Sequence, residues 1–215
     1  MDNVKNQSII DFYAITNRLK NEVRAGLLVW GVSAPRLESA AEHVYSTQML
    51  AIAFASEHDF DIDLRRVIMM LAVHELGEAV VGDITPLDGA MRSRKRQMEI
   101  DAVQGILSGL SNGGDVRNLF MEYEDNETEE ARFCHQVDKL EACLQALTYD
   151  AEGHTDFLRG KTDKTEELRQ KNIQQGYVAL GTAWTNQDIE WGRYDGKFLE
   201  FAKYIRDNKI FEGNK

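Results

Sequence analysis

The chain has 215 residues, with 36 Asp and Glu against 25 Lys and Arg and a formal net charge of −11, and its 43% hydrophobic and 28% charged content is that of an ordinary soluble globular protein. Two Pro and two Cys exclude a Pro-rich disordered chain and a disulfide scaffold and fit a reducing, cytoplasmic setting. The opening MDNVKNQSIIDFY does not read as a signal peptide, apolar runs such as Val67–Val73 fall well short of the ~18 residues of a membrane span, and the acidic balance argues against a phosphate-neutralising nucleic-acid surface.

In chain order the reading is helical nearly throughout. Ile9, Ile10, Phe12, Tyr13, Thr16 and Leu19 space as the face of a first helix. The Gly- and Pro-bearing stretch Gly26–Pro35 breaks it. Ser39-Ala40-Ala41-Glu42 has capping-box spacing, and a helix is expected from there to about Ser56. Asp63 is expected to cap a helix running through Val81, stopped by Gly82. Pro86–Gly89 reads as a turn before a helix with Met91, Met98, Val103, Ile106 and Leu107. That helix opens on the one basic cluster, Arg92-Ser93-Arg94-Lys95-Arg96, which reads as a solvated face or as a phosphate-facing patch.

Ser111–Gly114 is the clearest loop, a short helix is expected around Val116–Tyr123, and Glu124–Glu127 form an acidic connector. Thr128 can cap a long helix through Tyr149, with Glu129 and Glu130 well placed in its first turn. Two further helices are expected over 165–182 and 188–208. Cys134 and Cys143, nine apart on one helix, read as core thiols. The expected fold class is all-α, a single-domain helical bundle.

The chemistry concentrates in Ala41-Glu42-His43, Val73-His74-Glu75-Leu76-Gly77-Glu78, Gly82-Asp83 and His135-Gln136-Val137-Asp138. On a continuous helix His74 and Glu78, four apart, share a face. His74 and Glu75, about 100° apart around the axis, can flank one ion only at its edge. A His from a second helix and a carboxylate from a third would complete a mixed N/O set suited to a Lewis-acidic divalent ion. The absence of Cys pairing does not suit structural zinc, and Glu78 stands where a zincin needs His. Taken singly, each residue also fits a hydrogen-bonded core or a solvated face. Yet His74 follows Met69-Met70-Leu71-Ala72-Val73, where burying acids without a cation or partner costs several kcal/mol.

Three stretches carry a family resemblance: Arg36–His43, Val73–Pro86 and Val137–Ala142. His43, the His74–acid dyad and Asp138 resemble the H…HD…D signature of the HD-domain metal-dependent phosphohydrolases. The subgroup they look most like is that of the 5′-deoxynucleotidases and HD-domain-containing protein 2, and the likeness covers roughly Ile9 to Gly153. It implies an HD-type bundle over residues 1–215, with the C-terminal helices of 165–208 packed on it. It also implies metal ligands at His43, His74, Glu75 and Asp138, and catalytic acids at Glu78 and Asp83. Arg24 falls where the subgroup has a substrate-contacting arginine, and Arg94 and Lys95 are further candidates for the phosphate. The sequence departs from the family at Glu75, where the dyad acid is Asp, one methylene shorter.

The expected activity is hydrolysis of phosphomonoesters, above all (deoxy)nucleoside 5′-monophosphates, with a divalent Mn, Co, Fe, Zn or Mg ion. The alternative is a metal- or nucleotide-binding HD module without turnover. The expected partner is a small phosphorylated molecule, with no nucleic acid and no membrane; the oligomeric state is left open, a homodimer included.

Overall fold

The computed structural model describes residues 2–85, 92–158 and 165–211. Among them the regular structure is all helical, apart from one isolated antiparallel bridge between Val23 and Ser39. The expected turn at Pro86–Gly89, and Met91 after it, lie outside the described residues. The chain divides into two compact units, Met1–Arg24 with Glu38–His135 and Ala25–Leu37 with Gln136–Lys215.

The first unit opens with α1 (Asp2–Thr16), closed by a 3₁₀ turn over Asn17–Lys20. Only part of the expected face is used: Ile9, Ile10 and Tyr13 are exposed, while Phe12 and Leu19 pack inward, joined by Ile15 from outside that face. The first expected break holds a short helix of its own, α2 (Ala25–Val29) in the second unit, which ends before Gly31 at φ +75°. Helix α3 (Ala40–Glu57) starts as the sequence predicts. The Ser39 hydroxyl accepts from the Glu42 amide and the Glu42 carboxylate accepts from the Ser39 amide. Its inner stripe is Ala40, His43, Thr47, Ala51 and Phe54, at steps of three and four.

The helix expected from Asp63 to Val81 is instead two. Helix α4 (Leu64–Val73) carries the Asp63 cap and buries Val67, Met70 and Leu71. Helix α5 (Glu78–Val81) follows after a turn. Between them the ladder tightens to i→i−3 bonds, with the Leu76 amide on the Val73 carbonyl and the Glu78 amide on that of Glu75, both at 3.0 Å. Two neighbours account for this. Leu76 is drawn into a cluster with Val103, Ile106, Leu107 and Phe120, each such side chain contributing ~1.5–3 kcal/mol by burial. Gly77 backs against α6 (Arg92–Leu107), where a Cβ would lie 2.8 Å from that of Glu99. Helix α7 (Gly113–Asp125) is longer than expected: it starts inside the predicted loop and absorbs half of the acidic connector, ending at Asn126 with φ +53°.

Helix α8 (Glu129–Glu152) begins in the first unit, with the Thr128 hydroxyl accepting from the Ala131 amide, and ends in the second. Cys134 and Cys143 on it are fully buried, one in each unit. In the second unit Leu27, Val32, Ala146, Tyr149, Phe157, Leu180 and Ala183 form the core. The two C-terminal helices expected are three: α9 (Glu166–Gln174), α10 (Leu180–Glu190) and α11 (Gly196–Asp207). Gly176 and Gly192, at φ +93° and +68°, interrupt the expected runs. The Asp150 carboxylate accepts from the Leu180 and Gly181 amides and so starts α10, a cap drawn from a distant helix that local patterning cannot show.

Candidate metal and catalytic site

The site is built in the first unit around the tightened turn after α4. His43 lies on the buried stripe of α3 with no exposed surface, and His74 ends α4 at 5% exposure. The His74 Nδ1 is 2.7 Å from the Leu71 carbonyl, which can only accept. Nδ1 therefore carries a hydrogen and leaves Nε2 as the ring atom that can turn to a cation, the arrangement by which a backbone carbonyl orients a metal-binding imidazole. The two rings stand 5.4 Å apart between centroids, and Tyr123 flanks His74 on its other side at 5.2 Å.

Glu75 Oε1 is the meeting point. It lies 3.7 Å from His43 Nε2, 3.6 Å from His74 Nε2 and 3.0 Å from the Arg24 guanidinium that donates to it. One donor atom from each of His43, His74 and Glu75 falls within 4.8 Å of the others. Two imidazoles and a carboxylate at that spacing fit a borderline divalent ion that keeps open positions. Arg24 is delivered by the bridge beside α3, its amide donating to the Glu38 carbonyl at 3.1 Å, and it also stands 3.7 Å from Asp83 Oδ2. The arginine that the resemblance gives to the substrate therefore also pairs with the two acids.

Glu78 opens α5 on the far side of the turn, 2% exposed. It does not stack above His74 on one continuous helix face, because the turn between them is tightened. Its Oε1 accepts from Lys95 Nζ at 3.2 Å, and its buried Oε2 has no hydrogen-bond partner among the described residues. Burial first, then the negative charges of Glu75 and Asp83, push its carboxyl well above the usual range, against the pull of Lys95 and Arg24. A buried acid oxygen without a partner among the described residues, close enough to Glu75 to feel its charge, suits proton transfer to or from a water or alkoxide. Asp83 follows Gly82, whose φ of +78° turns the chain, and its amide donates to Glu22 Oε1 at 3.2 Å.

Of the two basic residues weighed for the phosphate, Lys95 points at Glu78 and Arg94 is exposed on α6. Burial pulls the Lys95 ammonium down, but Glu78, Glu75, Glu99 and Asp83 outweigh it and raise its pKa. Asp138 lies on α8 in the second unit, 3% exposed, and accepts from Lys139 Nζ at 2.7 Å. Sequence reading missed Glu99. It is 7% exposed, pairs with Lys95 one helical turn earlier at 3.4 Å, and is pushed by burial to about 7 although Lys95 opposes the shift. The i,i+4 Lys–Glu spacing was its only signal, and that spacing is common on exposed helices.

The HD domain family matches residues 16–180. The 5′-deoxynucleotidase HDDC2 of Dictyostelium discoideum is 36% identical over 152 residues, covering 67% of this chain and 79% of that protein. The human protein of the same description is 29% identical over 146 residues, covering 67% and 69%. Among solved structures, one described as a predicted metal-dependent phosphohydrolase from Magnetospirillum magnetotacticum covers 89% of this chain and 96% of its own. It matches with a TM-score of 0.60 at 24% identity, which speaks to the fold alone.

Proposed function

The chain belongs to the HD-domain family, and on that premise we propose that it is a metal-dependent phosphohydrolase of (deoxy)nucleoside 5′-monophosphates. The relatives' description as 5′-deoxynucleotidases supports the substrate class. The observation that carries the reaction is the convergence of His43, His74 and Glu75 beside a buried Glu78 oxygen that no donor among the described residues satisfies. His43, His74 and Glu75 would hold one divalent ion. Asp138 is proposed as the fourth ligand from its place in the sequence signature. When bound, the ion supplies Lewis acidity, polarising a phosphoryl oxygen and acidifying water.

The remaining steps belong to the chain's own groups. Glu78 takes a proton from the attacking water through Oε2 and returns it to the leaving 5′-alkoxide. The water's oxygen bonds to phosphorus as the P–O5′ bond breaks, giving nucleoside and inorganic phosphate. Arg24 binds a phosphoryl oxygen through its guanidinium fork and, with Asp83, orients the sugar side of the substrate. Lys95 supplies the second positive charge toward the dianion. Arg94, exposed on α6, is left for longer-range attraction.

A second reading, a binding module without turnover, is favoured by one contact: Arg24 already occupies the carboxylate oxygen of Glu75 that faces both imidazoles. The deciding assay measures phosphate release from a panel of ribo- and deoxyribonucleoside 5′-monophosphates with Mn, Co, Fe, Zn or Mg. Release from nucleotides with at least one metal, abolished by chelator, is expected. Nucleotide binding without release under every metal would replace the hydrolase with the binding module.

A further inference from the structure

Lysine carries a compact charge on a flexible stem, so an ammonium aimed at a reacting group needs something to aim it. The Lys95 ammonium meets oxygens from three parts of the chain: Glu78 Oε1 at 3.2 Å, the Ile84 carbonyl at 3.1 Å and Glu99 Oε1 at 3.4 Å. Two of these belong to the α5 side of the site. Glu99 belongs to Lys95's own helix, one turn on, where it is nearly fully buried. Its Cβ and Cγ are where Gly77 comes so close that a methyl group would lie 2.8–2.9 Å away. Glu99 is thus wedged between the turn that carries Glu75 and Glu78 and the lysine that faces them. A lone salt-bridge partner on a surface helix would not be buried in this way.

We propose that Glu99 is a positioning residue that tethers Lys95, so that its ammonium faces Glu78 and the phosphoryl group without depending on Glu78 alone for its counter-charge. The role rests on the phosphohydrolase reading. Above about pH 7, where Glu99 is ionised, its carboxylate holds Lys95 charged and placed while Glu78 changes protonation. Remove the Glu99 charge and, among the described residues, Glu78 is the carboxylate left in contact with Lys95, which opposes the proton uptake its role requires.

The test is a double-mutant cycle with a second readout that does not need turnover. Glu99→Gln keeps the shape and removes the charge, Lys95→Met removes the ammonium, and Glu99→Asp is the conservative comparison. In steady-state hydrolysis of a nucleoside 5′-monophosphate above about pH 7, where Glu99 is ionised, Glu99→Gln is expected to lower kcat/KM by about tenfold, the low end for perturbing a supporting shell; the Lys95 modification is compared in the same pH range. The double variant should be no worse than Lys95→Met, since the two act through one group, and Glu99→Asp should recover part of the loss. In metal-free protein, acetic anhydride should modify Lys95 faster in Glu99→Gln than in the wild type at the same pH, read by mass spectrometry. Multiplying losses in the double variant, or wild-type kcat/KM in Glu99→Gln, would overturn the tether, as would equal Lys95 modification rates. If the wild type hydrolyses no nucleotide under any metal, the phosphohydrolase reading fails instead, and the modification rates still decide whether Glu99 tethers Lys95.

Discussion

Replacing Gly77 by Ala sets two opposed effects against each other, and the structure decides between them. Gly77 has φ −62° and ψ −35°, ordinary helical values. An alanine there would by itself stabilise by ~0.4–1 kcal/mol, through fewer conformations in the unfolded chain. Its methyl group, however, would sit 2.8 Å from Glu99 Cβ, 2.9 Å from Cγ and 3.0 Å from Cα, against the 3.4–4 Å of ordinary contact. The Cγ can swing aside; the Cα and Cβ move only with α6. Overpacking of that kind costs ~1–3 kcal/mol, so the net effect is destabilisation by about 1–2 kcal/mol. For a chain of this size that lowers the melting temperature by about 2–8 °C. The same displacement draws Lys95 off Glu78, so kcat/KM should fall by about tenfold or more, as misplacement on the ångström scale does. Thermal melts and steady-state kinetics on one preparation give both numbers. A variant that melts at or above the wild-type temperature would refute the close approach and the reasoning built on it.

Glu78→Gln should keep divalent-metal binding by calorimetry and lose about 10²–10⁴ in kcat, whereas His74→Ala should lose the ion itself by elemental analysis; full turnover in Glu78→Gln would remove that residue from its assigned role. Glu75→Asp withdraws the carboxylate from Arg24 by one methylene, and metal affinity should rise by about tenfold, while a fall would show that the surrounding helices have adapted to Glu. Glu99 holds its proton to about pH 7 in the fold against an ordinary 4.5. Its contribution is therefore full below about 4.5 and is lost as pH rises through 7. Metal-free wild type should lose stability relative to Glu99→Gln across that window, on the order of 3 kcal/mol, and parallel melting curves would count against the burial of its charge.

What could be read from the sequence was what is encoded locally. Ser39 and Glu42 announce the start of α3, Asp63 that of α4 and Thr128 that of α8, because each side chain bonds to an amide within three residues. His43 and His74 stood out because they interrupt apolar periodicity, and the structure brings them together with Glu75. The break at residues 74–77 was hidden, because the groups that force it, Phe120 and Glu99, lie far along the chain. The capping of α10 by Asp150 was hidden for the same reason. The split of the C-terminal segment into three helices was signalled by Gly176 and Gly192. A glycine in a polar helix-like run is, however, tolerated as often as it is decisive, and only the positive φ marks these two as stops.

The two cysteines give the chain a clock that it carries without engineering. Each compact unit holds one cysteine, both are fully buried, and burial with Asp188 alongside raises the Cys143 pKa, so neither sulfur is open to a reagent while the fold is closed. A thiol reagent under native conditions therefore modifies each only when its own surroundings open. Mass spectrometry of the two α8 peptides times the units separately. If residues 1–215 act as the single domain expected from the sequence, the two marks appear together and share one dependence on denaturant. Staggered marks would mean that α8 joins two bodies which melt in turn.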